Sequence, residues 1–170
     1  MSAVNSLEKS LGDAFKSAPK LPEKGKKMLV QWLPWISVVL GVLMLWSAWV
    51  LYDWANAVNK LADYANSLTR AFGGTEIVKD RLTVAIWLAI AFIVVQAVLY
   101  LAAFTGLRDR KKSGWNLVFY AALVNVVAAV VVLFSDYGGV GNLIANLIGS
   151  AIGLYLLFQI RDSYSGGSSA

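Results

Sequence analysis

Gln96, Asn125, Asn146 and Ser150 are the side chains with the most chemistry to offer, because each sits inside a long, uncharged apolar run. An amide and a hydroxyl both donate and accept hydrogen bonds. In hydrocarbon such groups either pair across a helix contact or line a path for a neutral solute. Gln96 is the fifteenth residue of the run 82–107, Asn125 the eleventh of 115–134 and Ser150 the eighth of 143–160. These similar depths predict that the three point into one bundle and meet near its midplane, with Asn146 in the same polar core. Pairing is the better reading, since three neutral groups are few for a conduit.

Acid–base and nucleophilic chemistry are poorly supplied. There is no histidine and no cysteine, so the commonest general base, thiol chemistry, disulfides and the usual zinc ligands are all missing. The ten carboxylates lie outside the apolar runs and mostly stand singly, and the serines and threonines have no base beside them. No phosphate-binding, dinucleotide-binding or metalloprotease motif occurs. An ionisable group inside a span is the usual mark of a pump or coupled transporter, and the runs contain none. The expectation is a protein without catalytic residues, cofactor or metal.

The elements that must position the polar groups are membrane spans. Hydrophobic residues make up 58% of the 170-residue chain and charged residues only 15%, against about 25% in a soluble domain. About 20 apolar residues cross a hydrocarbon core ~30 Å thick. Four runs qualify, at about 29–52, 82–107, 115–134 and 143–160, which predicts an all-α integral membrane protein with a four-helix bundle. Lys and Arg number six in the N-terminal segment, four at 108–112 and one after the last run, against four at 53–81 and none at 135–142. The positive-inside rule then puts both termini in the cytoplasm. Lys24, Lys26, Lys27, Arg108, Arg110, Lys111 and Lys112 are read as anchors for anionic headgroups. The basic balance, net +5, is a membrane signature and not a nucleic-acid footprint.

Two further segments are amphipathic. Val4, Leu7, Leu11 and Phe15 recur at helical spacing ahead of Pro19 and Pro22, and predict a short helix on the inner membrane surface within a segment 1–27. Residues 53–72 carry Trp54, Val58, Leu61, Leu68 and Phe72 on one stripe and mostly Asn, Asp, Lys and Arg elsewhere. That pattern predicts an extracytoplasmic helix with a docked face. It either continues the first span or bends near Asp53, and Gly73-Gly74 ends it. Trp32, Trp35, Trp46, Trp49 and Trp54 read as interfacial belts, and Pro34 as a residue of the first span's opening turns. Residues 163–170 read as a flexible tail.

Small residues mark where helices should meet. Ala145, Gly149 and Gly153 share a face of the fourth run with Asn142 and Asn146, and are expected to pack against a neighbour. The halves also echo each other: Leu99-Tyr100-Leu101, Phe104 and Arg108-Asp109 against Leu154-Tyr155-Leu156, Phe158 and Arg161-Asp162. A parallel repeat and chance similarity both fit that echo.

The Lys/Pro-rich N-terminus, the Trp-rich first run, Gly106-Leu107-Arg108-Asp109-Arg110-Lys111-Lys112 and Leu154-Tyr155-Leu156-Leu157-Phe158-Gln159-Ile160-Arg161 together resemble small four-helix membrane proteins of unknown function from reduced-genome, candidate-phyla-type bacteria. The resemblance spans nearly the whole chain and implies a bacterial plasma membrane, with no activity attached. The readings that follow are a non-enzymatic scaffold or assembly component; a small channel or carrier; or a lipid- or quinone-binding accessory subunit. Partners are the bilayer, and a membrane protein or a second copy.

Overall fold

In lipid every backbone N–H and C=O must be satisfied within the chain, so apolar runs of this length become helices. The computed structural model describes residues 3–75, 84–133 and 140–164. These form α1 (Ala3–Lys16), α2 (Glu23–Ala71), α3 (Val84–Arg108), α4 (Lys112–Leu133), α5 (Val140–Gln159) and a final 3₁₀ turn, Arg161–Tyr164. Three helices, α2, α3 and α4, are long and apolar enough to cross a membrane, and α5 adds a shorter apolar helix, Leu143–Gln159. The outer turn expected at 135–141 and the tail 165–170 lie largely outside the described residues.

The first span and the amphipathic segment after it are one helix. At 1.5 Å per residue, the 49 residues of α2 extend ~73 Å, more than twice the thickness of a hydrocarbon core. No break occurs at Asp53, where neither Gly nor Pro interrupts the pattern. The helix ends at Gly73, whose φ of 77° is the left-handed conformation that glycine adopts without penalty. The Gly73 N–H donates to the Arg70 carbonyl and the Gly74 N–H to Thr69, closing the helix end. The same closure stops α3: Arg110 N–H donates to Leu107 and Lys111 N–H to Gly106, yet the left-handed residue is Arg110 at φ 54°. Residue type gives no warning of that stop.

Because α2 begins at Glu23, Pro34 is deep inside it and not in its opening turns. Proline has no N–H, so the carbonyl four residues back, Val30, loses its helical donor. The phenol of Tyr164, itself fully buried, stands 3.5 Å from that carbonyl as a replacement donor. Ser37 donates to the Pro34 carbonyl at 2.7 Å, which keeps a buried hydroxyl paired.

α2 and α3 pack antiparallel, with Trp35 against Phe104, Gly41 against Ala97 and Leu101, and Tyr52 against Trp87. The seam on α2 is a seven-residue repeat of the buried Pro34, Gly41, Ala48 and Ala55, and the same spacing continues in the sequence at Ala62 and Thr69. α3 then packs on α4 through Gly106 and Gly114, whose backbones touch. A Cβ on Gly106 would lie 2.6 Å from the Gly114 nitrogen. α4 in turn carries α5. Most of the buried apolar core, including Leu107, Trp115, Phe119, Leu157 and Tyr164, gathers at the end of the bundle beside the 108–112 loop.

Alanine substitutions should therefore separate the glycines. Gly106→Ala drives a methyl into backbone and should cost about 1–3 kcal/mol, and Gly41→Ala should fall in the same range, because its methyl would meet Leu101 Cγ at 2.7 Å and the Ala97 carbonyl oxygen at 3.2 Å. Gly149→Ala meets nothing within 4 Å and should be neutral or stabilising, since alanine is the better helix former. Denaturant unfolding in detergent micelles measures all three.

Candidate functional site

The run Leu154-Tyr155-Leu156-Leu157-Phe158-Gln159-Ile160-Arg161 uses its two sides for two tasks. Leu154, Leu157 and Ile160 enter the core against α4. Tyr155, Phe158, Gln159 and Arg161 hold α1 and the linker that follows it. Phe15 of α1 packs on the rings of Tyr155 and Phe158, at centroid distances of 6.2 and 5.6 Å. The linker between α1 and α2 contains two prolines and makes no helix of its own, so its backbone groups need outside partners. The Gln159 carboxamide oxygen accepts from the Leu21 N–H at 3.2 Å, and the Tyr155 hydroxyl donates to the Pro19 carbonyl at 2.5 Å.

At the centre of this end stands Glu8. Its Oε1 accepts from both Arg161 Nε, at 3.0 Å, and Arg161 Nη2, and Lys112 Nζ lies 3.6 Å away. One carboxylate thus joins α1 to the start of α4 and the end of α5. The Arg161 guanidinium also sits 5.9 Å from the centre of the Trp115 ring. Hence α1 docks on the bundle's charged end through Val4, Glu8, Leu11 and Phe15, while Leu7 stays exposed. The sequence reading chose Leu7 for that face. The residue it passed over, Glu8, belongs to the 4–8–11–15 stripe, and an acid on an apolar stripe signals a buried cation partner.

Within the apolar layer, Asn125 Nδ2 donates to Ser150 Oγ at 2.9 Å, joining α4 to α5. Gln96 is buried, on the α3 stripe that also carries Ala103 and Leu107, and is level with Asn125 by the Gly106–Gly114 register. It makes no hydrogen bond to that pair. Asn146 stands one turn before Ser150 on α5, is exposed, and has its own partner.

Ala145, Gly149 and Gly153 do not pack against a helix. All three are exposed, and a Cβ on either glycine would meet nothing within 4 Å. α5 turns its opposite, bulkier side to α4 because the aromatic cluster there offers more burial than a close glycine contact would. Trp115 stacks on Phe119 at 5.4 Å, meets Phe158 edge-on at 5.4 Å, and donates its indole N–H to the Leu157 carbonyl at 2.9 Å. That carbonyl lies in the last turn of α5, where no helical donor reaches it.

The stripe on 53–72 lies beside the face that the chain itself buries. Ala55 and Asn66 are buried, whereas Trp54, Leu61, Leu68 and Phe72 are exposed and Val58 is half-buried. The small-residue seam continues from the span and occupies the face next to the large residues. Among the described residues the last ring contact between α2 and α3 is Tyr52–Trp87, and the 19 residues 53–71 of α2 lie beyond it. Of the basic residues read as anchors, Lys24, Lys27, Arg108, Arg110, Lys111 and Lys112 are exposed, and Lys26 is half-buried beside Glu23 at 3.0 Å.

No protein-family model, curated protein or solved structure matches the chain.

Burial pushes the Tyr164 phenol up to about 12, and the nearby Arg110 charge opposes that rise only in part. The folded chain therefore holds this proton after the unfolded chain, with an ordinary value near 10, has released it. Stability contributed by the neutral phenol is complete below pH ~10 and is lost as the pH rises towards ~12. Tyr164→Phe should flatten that alkaline decline. An ultraviolet phenolate titration, run alongside unfolding at each pH, checks both statements.

Proposed function

We propose that this protein is a non-enzymatic scaffold of a bacterial plasma membrane, with four spans and both termini in the cytoplasm. The observation that carries this reading is the outer part of α2. It is one continuous helix with the membrane span, and its large apolar side chains Trp54, Leu61, Tyr64, Leu68 and Phe72 are exposed among charged and amide residues. A segment with Asp53, Lys60, Asp63 and Arg70 is too polar for the hydrocarbon core. Burying a large apolar side chain contributes about 1.5–3 kcal/mol. A partner covering Leu61, Leu68 and Phe72 thus has ample driving force. The partner is a second membrane protein held at a set height above the bilayer.

The orientation follows the excess of Lys and Arg on the side of the termini and the 108–112 loop. Asn125 and Ser150 fit a scaffold in that they bond to each other across α4 and α5. An interhelical bond of this kind contributes ~0.6–2 kcal/mol.

In intact cells, an impermeant thiol reagent should label a cysteine placed at 64 and spare one at 110. A photo-crosslinking residue at 61 or 72 should then capture a discrete protein, and one at 66, on the buried face, should not. Labelling at 110 and not at 64 contradicts the orientation; adducts with lipid alone at 61 and 72 contradict the scaffold.

A further inference from the structure

The docking of α1 leaves a cleft of about 800 Å³ between α1, the start of α2, the start of α4 and the end of α5. Six cations and three carboxylates line it. The carboxylates are largely used internally: Glu8 holds Arg161 and Lys112, and Asp13 holds Lys16 at 2.6 Å. Lys26 pairs with Glu23 on its own helix. Lys9 and Lys20 make no ion pair within 4 Å among the described residues, Lys9 acting on Asp13 only at longer range, and Lys112 is half-exposed at the long end of its ion pair. The floor is apolar, made by Phe15 and Phe158. Charge thus converges on a concave space whose own acids do not neutralise it.

We infer that this cleft binds a phosphate group, presented on the headgroup of an anionic phospholipid. The site goes beyond the scaffold reading and does not depend on it. A phosphate supplies compact negative charge that flexible ammonium groups surround as point charges. Lipid is the better source than a soluble anion because apolar surface adjoins the cleft: Met28 and Trp32 follow Lys26 on α2 and are more than half exposed, and Leu7 is exposed on α1. Acyl chains running along α2 would bring a headgroup to the height of Lys26. The site differs from a diffuse basic belt in using Lys9, Lys20, Lys112 and Arg161, which come from four separate parts of the chain.

The full chain in phosphatidylcholine nanodiscs, with and without phosphatidylglycerol, gives the test. Phosphatidylglycerol should stay bound through delipidation, read by native mass spectrometry, and should raise the unfolding temperature. Lys9→Gln with Lys20→Gln should weaken its binding about tenfold, since each basic residue near an anionic surface contributes appreciably. Both lysines are exposed, so the fold is retained, and circular dichroism verifies that. Lys24→Gln with Lys27→Gln, outside the cleft, should change binding less than about threefold. Equal losses in the two double variants, or equal retention of phosphatidylcholine and phosphatidylglycerol, would overturn the site. Inorganic phosphate and pyrophosphate are titrated separately into phosphatidylcholine nanodiscs. Binding of either that is lost in Lys9→Gln with Lys20→Gln, with no preference for phosphatidylglycerol, would overturn the lipid assignment.

Discussion

A tryptophan withdrawn fully from its surroundings must still find an acceptor for its indole N–H, and the last carbonyls of a helix must still find donors. Trp115 and Leu157 meet both requirements in one bond of 2.9 Å. Much of the charged end follows from it. The ring is stacked by Phe119 and met edge-on by Phe158, and its rim carries the Arg161 guanidinium. Arg161 holds Glu8, and Glu8 fastens α1. The bond sits within the buried contact that turns this side of α5 to α4, and Arg161 beside it connects that contact to the N-terminal helix.

The two ends of the molecule are held by different physics. At the charged end, large aromatic and aliphatic side chains are buried together and polar groups are paired across elements. Along α2 and α3 the contact instead depends on small residues every seven positions, which let two backbones approach and contribute dispersion over a long seam. A seam of that kind needs no bulky partner. The large side chains of the outer part of α2 are left on neighbouring faces and remain uncovered. A firm base and an uncovered outer helix follow from one repeat running past the end of the span.

Depth along an apolar run and the helical period were legible in the sequence. Counting residues brings Asn125 level with Ser150, and the two bond. The all-helical character and the apolar helices α2, α3 and α4 follow from run length alone. Rotation of a helix about its own axis was not legible where two plausible faces compete. Gly149 and Gly153 advertise a close contact, but the opposite side of α5 offers Leu154, Leu157 and an acceptor for Trp115, and burial of those larger groups wins. The stripe from Trp54 to Phe72 lies one face away from the seam, and its large side chains stay exposed. Arg110 in a left-handed conformation and Tyr164 opposite the carbonyl orphaned by Pro34 depend on three-dimensional neighbours that no local pattern encodes.

α2 continues unbroken through Asp53, and large apolar side chains stand exposed along its outer part. The chain has no cysteine, so spin labels at Ile36→Cys and Ala71→Cys report one distance. An unbroken helix separates these positions by ~53 Å at 1.5 Å per residue. A right-angle bend at Asp53 would shorten that to about 37 Å. A pulsed dipolar measurement in nanodiscs centred near 50 Å agrees with the account, and one centred below about 40 Å contradicts it.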